Sequence, residues 1–303
     1  MLGNCLESIY RNTKMPRFEV IVVDNNSSDN SVKMVRERFP RTIVIANEKN
    51  EGYAAANNIG INRARGRYVL VLNSDTIFTD DSLSRICSFA DKHEDAAVFG
   101  CKIVNKDMTL QQNTYLFPSL LNLALAVSYL YKIFPRSRFF ARERMGWWDW
   151  TDTREVEVIV GCYMLVRMEA IREVGLMDND YFMYFEETDW CYRFKKAGWK
   201  NLYAPVSEVI HLGGESTKKN RDKMFLQFNS SRLLYFRKHH GVFSYVIACA
   251  LLFLFFALRI PYWLIHALLS GETAGPDLNT AYLYFTGMFR SLRGWRGLSI
   301  RMK

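Results

Sequence analysis

Residues 18–72 alternate short β-branched runs with amphipathic stretches, and this restricts the first third of the 303-residue chain to a layered α/β arrangement. Phe18-Glu19-Val20-Ile21-Val22-Val23 reads as a strand ending in the turn cluster Asp24-Asn25-Asn26-Ser27-Ser28-Asp29. Residues 31–39 and 52–64 read as helices, and 42–46 and Tyr68-Val69-Leu70-Val71-Leu72 as the second and third strands. Strands separated by helices are expected to pair in parallel with both faces covered, and such sheets bind ligands beyond the strands' carboxyl ends. Asp24 and Asn73-Ser74-Asp75 fall at such ends.

Further along, a nearly uncharged stretch from Phe117-Pro118 to Tyr131 is followed by Arg136, Arg138, Arg142 and Arg144, then Trp147-Trp148-Asp149-Trp150. A helical insertion packed on the body fits this stretch. So does an acceptor-binding or membrane-leaning lobe with aromatics at a polar boundary. Residues 156–166 return to strand. Residues 186–197 read as a helix stopped by Gly198, and 202–212 as a strand with His211 near its end.

The net charge of +9 is confined to one region. Residues 218–303 hold 13 basic and 3 acidic side chains, whereas residues 1–217 are close to neutral. A near-neutral body argues against nucleic acid, which needs a basic stripe along the folded surface. The basic region surrounds residues 241–258, a run of 18 without a charge, close to the roughly 20 apolar residues that span a bilayer. Arg259 and Pro261 interrupt the run, and basic residues flank it on both sides. A single-pass, hairpin or interfacial helix at the cytoplasmic face of an anionic membrane is expected, with the chain peripheral in the last case. The division expected is a body over residues 1–240, carrying an aromatic, helical insertion at 115–152, and a membrane-associated region at 241–303. Met1 leads into a polar-apolar helix pattern with no signal peptide, and six scattered cysteines read as reduced, mostly buried thiols. P-loop, dinucleotide, nucleophile-elbow and zincin signatures are absent.

Three groups carry chemistry. Asp75, just after a buried strand, can hold a hard divalent cation and through it a diphosphate, although Asn-Ser-Asp is also a common turn. Asp24 can equally cap the following helix. Glu186-Glu187-Thr188-Asp189 suits a helix N-terminus, but the preceding Tyr181-Phe182-Met183-Tyr184-Phe185 forms an apolar wall. Such a wall raises a nearby carboxyl pKa, as a general base requires. His211 is a lone histidine beside Leu212-Gly213-Gly214; near a carboxylate-bound cation it could add a nitrogen ligand, favouring Mn2+ over Mg2+.

In order along the chain, six blocks resemble the family 2 glycosyltransferases of the GT-A fold, most of all the rhamnosyltransferase-like bacterial members that build surface polysaccharides. They are Val22-Val23-Asp24-Asn25-Asn26-Ser27-Ser28-Asp29, Asn50-Glu51-Gly52-Tyr53-Ala54-Ala55-Ala56-Asn57, Leu72-Asn73-Ser74-Asp75, Gly161-Cys162-Tyr163-Met164-Leu165-Val166-Arg167, Phe182-Met183-Tyr184-Phe185-Glu186-Glu187-Thr188-Asp189 and His211-Leu212-Gly213-Gly214-Glu215-Ser216. The resemblance implies an α/β nucleotide-diphospho-sugar transferase sheet with flanking helices. It further implies single-displacement inversion from a nucleotide-diphosphate sugar, rhamnose being the first guess, onto a saccharide or lipid-linked acceptor.

By the same resemblance Asp24 contacts the base, and Asn26, Asn50, Gly52, Asn57, Asn73 and Ser74 line the donor site. Asp75 and His211 hold a divalent cation (Mg2+ or Mn2+), and Glu187 is the base, with Glu186 or Asp189 sharing the role. Trp147, Trp148, Trp150 and Gly161 are the candidate acceptor contacts. The chain departs from the family pattern at position 187, Glu where Asp is commoner, and in lacking Q-x-x-R-W, which favours adding one sugar over polymerisation. It also begins inside the helix that normally follows a first strand, so a sheet without that strand is expected. An inactive scaffold and a nucleotide-sugar-binding regulator are the alternative readings.

Overall fold

The computed structural model describes residues 1–14, 17–213, 220–270 and 275–293; Gly214, Glu215 and Ser216 of the last block lie outside them. In chain order the elements are α1 (Leu2–Asn12), β1 (Ile21–Asp24), α2 (Ser31–Arg38), β2 (Ile43–Ala46), α3 (Tyr53–Arg63), β3 (Tyr68–Leu72), β4 (Thr76–Phe78), α4 (Ser82–Ala90) and β5 (Ala96–Val104). Then come β6 (Thr114–Tyr115), α5 (Leu120–Ser128), α6 (Leu130–Ile133), β7 (Arg154–Glu155), β8 (Val158–Ile159), β9 (Tyr163–Arg167), α7 (Met168–Val174), α8 (Glu186–Lys196) and β10 (Lys200–His211). Four further helices follow: α9 (Arg221–His239), α10 (Gly241–Ala257), α11 (Ile260–Ser270) and α12 (Gly275–Leu292).

Contacts divide the chain into two compact units, one of residues 1–117, 149–219 and 300–303, the other of 118–148 and 220–299. The tryptophan-rich insertion is therefore grouped with the C-terminal helices, a division that cuts the chain differently from a boundary at 240. It follows from long-range packing that local pattern does not carry.

In the first unit the sheet order is β3-β9-β5-β10-β4, with β7 on β10. β5 sits in the middle, and every residue but the partly buried Lys102 is buried, the signature of a strand covered on both faces. Its Phe99, Cys101 and Ile103 pack with Cys5 and Ile9 of α1, Ile86 of α4 and Leu165 of β9. Only β5 and β10 run parallel in this sheet; β9 lies antiparallel between β3 and β5. β1 and β2 pair in parallel, as the alternation predicts, but form a sheet of their own. Among the described residues β1 pairs only with β2 and β3 only with β9. The three strands thus do not form the single parallel layer that the alternation suggests, because each of β1 and β3 has one edge without a strand partner.

In the second unit α5 opens with Ser119 accepting a hydrogen bond from Asn122 N at 3.1 Å. Arg259, which interrupts the apolar run, is 7% exposed. Its guanidinium donates to Ala126 O at 3.1 Å and Val127 O at 3.3 Å, satisfying carbonyls at the end of α5, and lies over the rings of Tyr129 and Phe255. Gly287 of α12 packs against the Phe256 ring so closely that any Cβ would fall 2.6 Å from it. Residues 241–269 form the one stretch among the described residues long and apolar enough to cross a membrane by length and composition, its most apolar 18-residue window having a mean hydropathy of 2.5. Only 22% of its most apolar window is buried.

Candidate active site

The carboxyl ends of β1 and β3, the start of β4 and the end of β10 supply the polar residues of the site. β10 pairs antiparallel with β4, so His211 sits opposite Thr76, and Leu212 N donates to Asp75 O at 3.0 Å. That register brings His211 Nε2 within 3.2 Å of Asp75 Oδ1, both side chains being about one-eighth exposed. From below, Cys5 of α1 points its thiol at the Asn73 carbonyl, 3.9 Å away. Burial, and to a smaller extent the Asp75 charge, push that thiol up to about 12.

Gln111 fixes the histidine. Its Nε2 donates to Asn105 Oδ1 at 3.0 Å, which aims its Oε1 at His211 Nδ1, 2.7 Å away. The Nδ1 proton is thereby claimed by Gln111, and Nε2 faces Asp75 with Asn73 Nδ2 at 3.3 Å. An imidazole lone pair and a carboxylate oxygen at 3.2 Å repel each other unless a cation or proton lies between them. The pair offers one imidazole nitrogen and one carboxylate oxygen, donors of the kind that a divalent cation accepts. No group of three His, Cys, Asp or Glu suited to a metal occurs among the described residues.

Asn73 links this pair to the α3 helix. Its backbone N donates to Cys162 O at 3.1 Å, and its Oδ1 accepts from Tyr53 OH at 3.2 Å. The same hydroxyl reaches Gly161 O at 2.9 Å. Burial raises the Tyr53 pKa well above its ordinary value, and the charges of Glu186 and Glu187 raise it further. The Cys162 thiol, pushed up to about 12 mainly by burial, also feels both Asp75 and Glu187. The cation pair and the acidic pair thus share one electrostatic environment.

Glu186 and Glu187 open α8, and the backbone before them is strained: Tyr184 has φ 66° and Phe185 φ 70°, left-handed values costly for aromatic residues. Glu186 is buried and Glu187 half-buried, and Oε2 of each reaches neither solvent nor a hydrogen-bond partner. Burial raises both pKa values. For Glu186 the charge of Glu187 and their mutual hydrogen bond raise it further, whereas that hydrogen bond lowers Glu187. Two desolvated carboxyls side by side titrate as a pair that holds on to one proton, leaving one carboxylate able to accept another. Asp189 is occupied elsewhere, bound at 2.7 Å to Arg193, whose guanidinium also holds Val174 O and Leu176 O.

The remaining predicted donor residues lie at the end of β1, in the turns after β1 and before α3, within α3 and just after β3. Asp24 is buried and accepts from Ser27 N at 3.1 Å. Asn26 is exposed in a left-handed turn, with φ 66°. Asn25, missed in the sequence, ties the loop together, bonding Asn47, Asn50, Glu51 N and Gly52 O. Asn50 Oδ1 accepts from Gly52 N at 3.0 Å, Asn57 bonds back to Tyr53 O at 2.9 Å, and Ser74 is exposed between Asn73 and Asp75. Tyr53 and Gln111 were also missed as site residues; Tyr53 lies in a helix pattern and Gln111 in none, and only the fold brings them to Asn73 and His211.

Of the tryptophans, Trp148 and Trp150 are buried. The Trp150 indole donates to Thr114 at 2.7 Å, which anchors it in the first unit. Trp147, partly buried in the second unit, lies under the Arg138 guanidinium.

Gly52 has φ 89°, and a Cβ there would lie 2.5 Å from Phe182 O, the carbonyl that accepts from Tyr53 N. Gly52→Ala is expected to cost about 1–3 kcal/mol from backbone strain alone, and more from the contact with the segment that positions Glu187. Denaturant unfolding of the two proteins measures the difference; an unchanged midpoint would show that the turn relaxes freely.

Comparison with known proteins bears on this arrangement. The sequence profile described as "Glycosyl transferase family 2" matches residues 1–175. The N-acetylglucosaminyl-diphospho-decaprenol L-rhamnosyltransferase of Mycobacterium tuberculosis is 26% identical over 79% of this chain and 81% of its own length. Among solved structures, the mannosyltransferase PcManGT from Pyrobaculum calidifontis, in complex with GDP-Man and Mn2+, superposes with a TM-score of 0.55 at 14% identity. That match covers 96% of this chain and 83% of PcManGT. GalNAc-T7 with UDP, GalNAc and Mn2+ gives a TM-score of 0.50 at 16% identity over 68% of this chain, which spans only 40% of that longer one. At such identities the structures establish a common fold and nothing finer.

Proposed function

Because the chain belongs to glycosyl transferase family 2, we propose that it moves one sugar from a nucleotide-diphosphate donor to an acceptor hydroxyl, with inversion at the anomeric carbon. The observation that carries this reading is the convergence around Tyr53 and Cys162 of the Asp75–His211 pair and the desolvated Glu186–Glu187 pair. Glu187 takes the proton of the acceptor hydroxyl, and Glu186 holds a proton that orients Glu187. Asp75 and His211 would hold a divalent cation, which neutralises the departing diphosphate. Gln111 and Asn73 keep His211 in the tautomer that leaves Nε2 for that role. Asp24 and the amides of Asn25, Asn26, Asn50 and Asn57 form the nucleoside and sugar rim, with Gly52, Asn73 and Ser74 beside the diphosphate.

The M. tuberculosis relative, an N-acetylglucosaminyl-diphospho-decaprenol L-rhamnosyltransferase, supports rhamnose as the sugar and a lipid-linked diphospho-saccharide as the acceptor. The stretch at 241–269 and the basic C-terminal region support attachment to the cytoplasmic face of a membrane, where such acceptors are found. Incubating the full chain with deoxythymidine-diphosphate-rhamnose or uridine-diphosphate sugars, with and without Mn2+, tests the assignment. Metal-dependent release of nucleoside diphosphate, increased by a lipid-linked acceptor, is expected. A second reading, an inactive scaffold, is favoured by the separation of β1–β2 from the main sheet; absence of release with every donor would select it.

The pH profile has a defined sign. Glu187 must be ionised to act as base, and burial raises its pKa above 4.5. The acidic limb of kcat/KM should therefore lie above the ordinary glutamate range, with the rate falling as pH drops through the raised value. A limb at or below 4.5 would remove Glu187 from that role.

A further inference from the structure

The second unit holds a partly open cavity of about 250 Å3. Three arginines, Arg142, Arg144 and Arg232, face one acid, Glu143, around it. Arg144 lies over the Tyr131 ring at 4.7 Å, and Arg232 of α9 over the Phe228 ring at 4.9 Å. Burial lowers the Arg232 pKa from its ordinary value; Glu143 opposes the shift and Arg144 adds to it. An excess of positive charge set among aromatic rings, with Arg142 and Arg232 partly buried and Arg144 exposed, is an environment in which guanidinium forks bind phosphate oxygens.

The apolar part of the lining decides between a free anion and an amphiphile. Phe255 of α10 lines the cavity, while Leu254 and Leu258, its neighbours in sequence, are 46% and 63% exposed. The exposed apolar surface continues along α11 through Leu264, Ile265 and Leu268. A ligand with a charged head and a hydrocarbon tail uses both features, because the head neutralises the arginines and the tail covers apolar surface that water now meets.

We propose that this cavity binds the diphosphate of a lipid-linked diphosphate, with Arg142, Arg144 and Arg232 on its oxygens and the lipid chain along α10 and α11. The biological meaning rests on the reading above, since the cavity would be the acceptor's anchoring point; the binding itself does not. The test uses the full chain in detergent without nucleotide, titrated calorimetrically with farnesyl diphosphate. Saturable binding is expected, weakened at least tenfold in Arg232→Gln. Inorganic diphosphate, farnesol and dihexanoyl-phosphatidylglycerol are each expected to bind at least tenfold more weakly than farnesyl diphosphate.

Arg142→Gln, checked with Arg232→Gln for native circular dichroism, serves if the buried arginine proves necessary for folding. Absence of saturable binding, or binding unchanged in both variants, overturns the proposal. So does equal affinity for inorganic diphosphate, which marks a plain anion site, or for the phosphatidylglycerol, which marks a general headgroup site. Donor hydrolysis by the unmodified chain is scored separately. Arginine-dependent binding without hydrolysis upholds the cavity and defeats the transferase reading, and hydrolysis without binding does the reverse.

Discussion

Glu187→Gln is expected to reduce sugar transfer by about 10²–10⁴-fold while leaving nucleotide-sugar affinity within about twofold, since an amide keeps the shape of the carboxylate but cannot take a proton. The variant should fold. A carboxyl whose pKa is raised in the native state contributes most to stability below its unfolded pKa and loses that contribution as pH rises through the native value. At neutral pH the substitution therefore removes an unfavourable buried charge. Glu186→Gln is the companion measurement: an amide at 186 still donates to Glu187, so most of the activity should survive. If donor affinity falls in parallel with transfer in Glu187→Gln, or if the two variants are equally dead, the base is not Glu187.

Asp75→Asn is expected to act on the other half of the reaction. Asn can offer a cation only a neutral oxygen, and several kcal/mol of charge stabilisation at the departing diphosphate would be lost, a rate decrease of about 10³-fold or more. Unlike Glu187→Gln, this variant should also lose the Mn2+ dependence of donor binding, measured by titrating nucleotide with and without metal. Retention of metal-dependent donor binding in Asp75→Asn would take the cation away from the Asp75–His211 pair.

The two variants rest on parts of the site that were unequally legible in the sequence. Asp75 was readable because a β-branched run ends just before it, and the acid cluster at 186–189 because a helix pattern follows an apolar wall. Their partners were not readable. Gln111 sits in a segment without periodicity, 100 residues from His211, and they meet because Gln111 N bonds Ile103 O of β5, the strand that pairs with β10. Asp189 could be set aside from the sequence, since Arg193 lies four residues on in the same helix, whereas the burial that sets Glu186 and Glu187 apart depends on the fold. In the fold, the strand positions were legible but the partner of β3 was not: antiparallel pairing with β9 joins residues almost a hundred positions apart. The same limit hid the grouping of 118–148 with the C-terminal helices, where Arg259 bonds carbonyls more than 130 residues away. Read locally, Arg259 is only an interruption of an apolar run.

The left-handed pair Tyr184–Phe185 sets heat tolerance against catalytic precision in this chain. Glycine at either position would relieve the unfavourable φ, yet it would loosen the segment that leads into Glu187, the proposed base, and let its carboxylate wander. Selection for thermostability alone would be drawn to these two positions and would yield sturdier but slower proteins. Selection for turnover would keep the strained aromatics and gather its stabilising changes elsewhere.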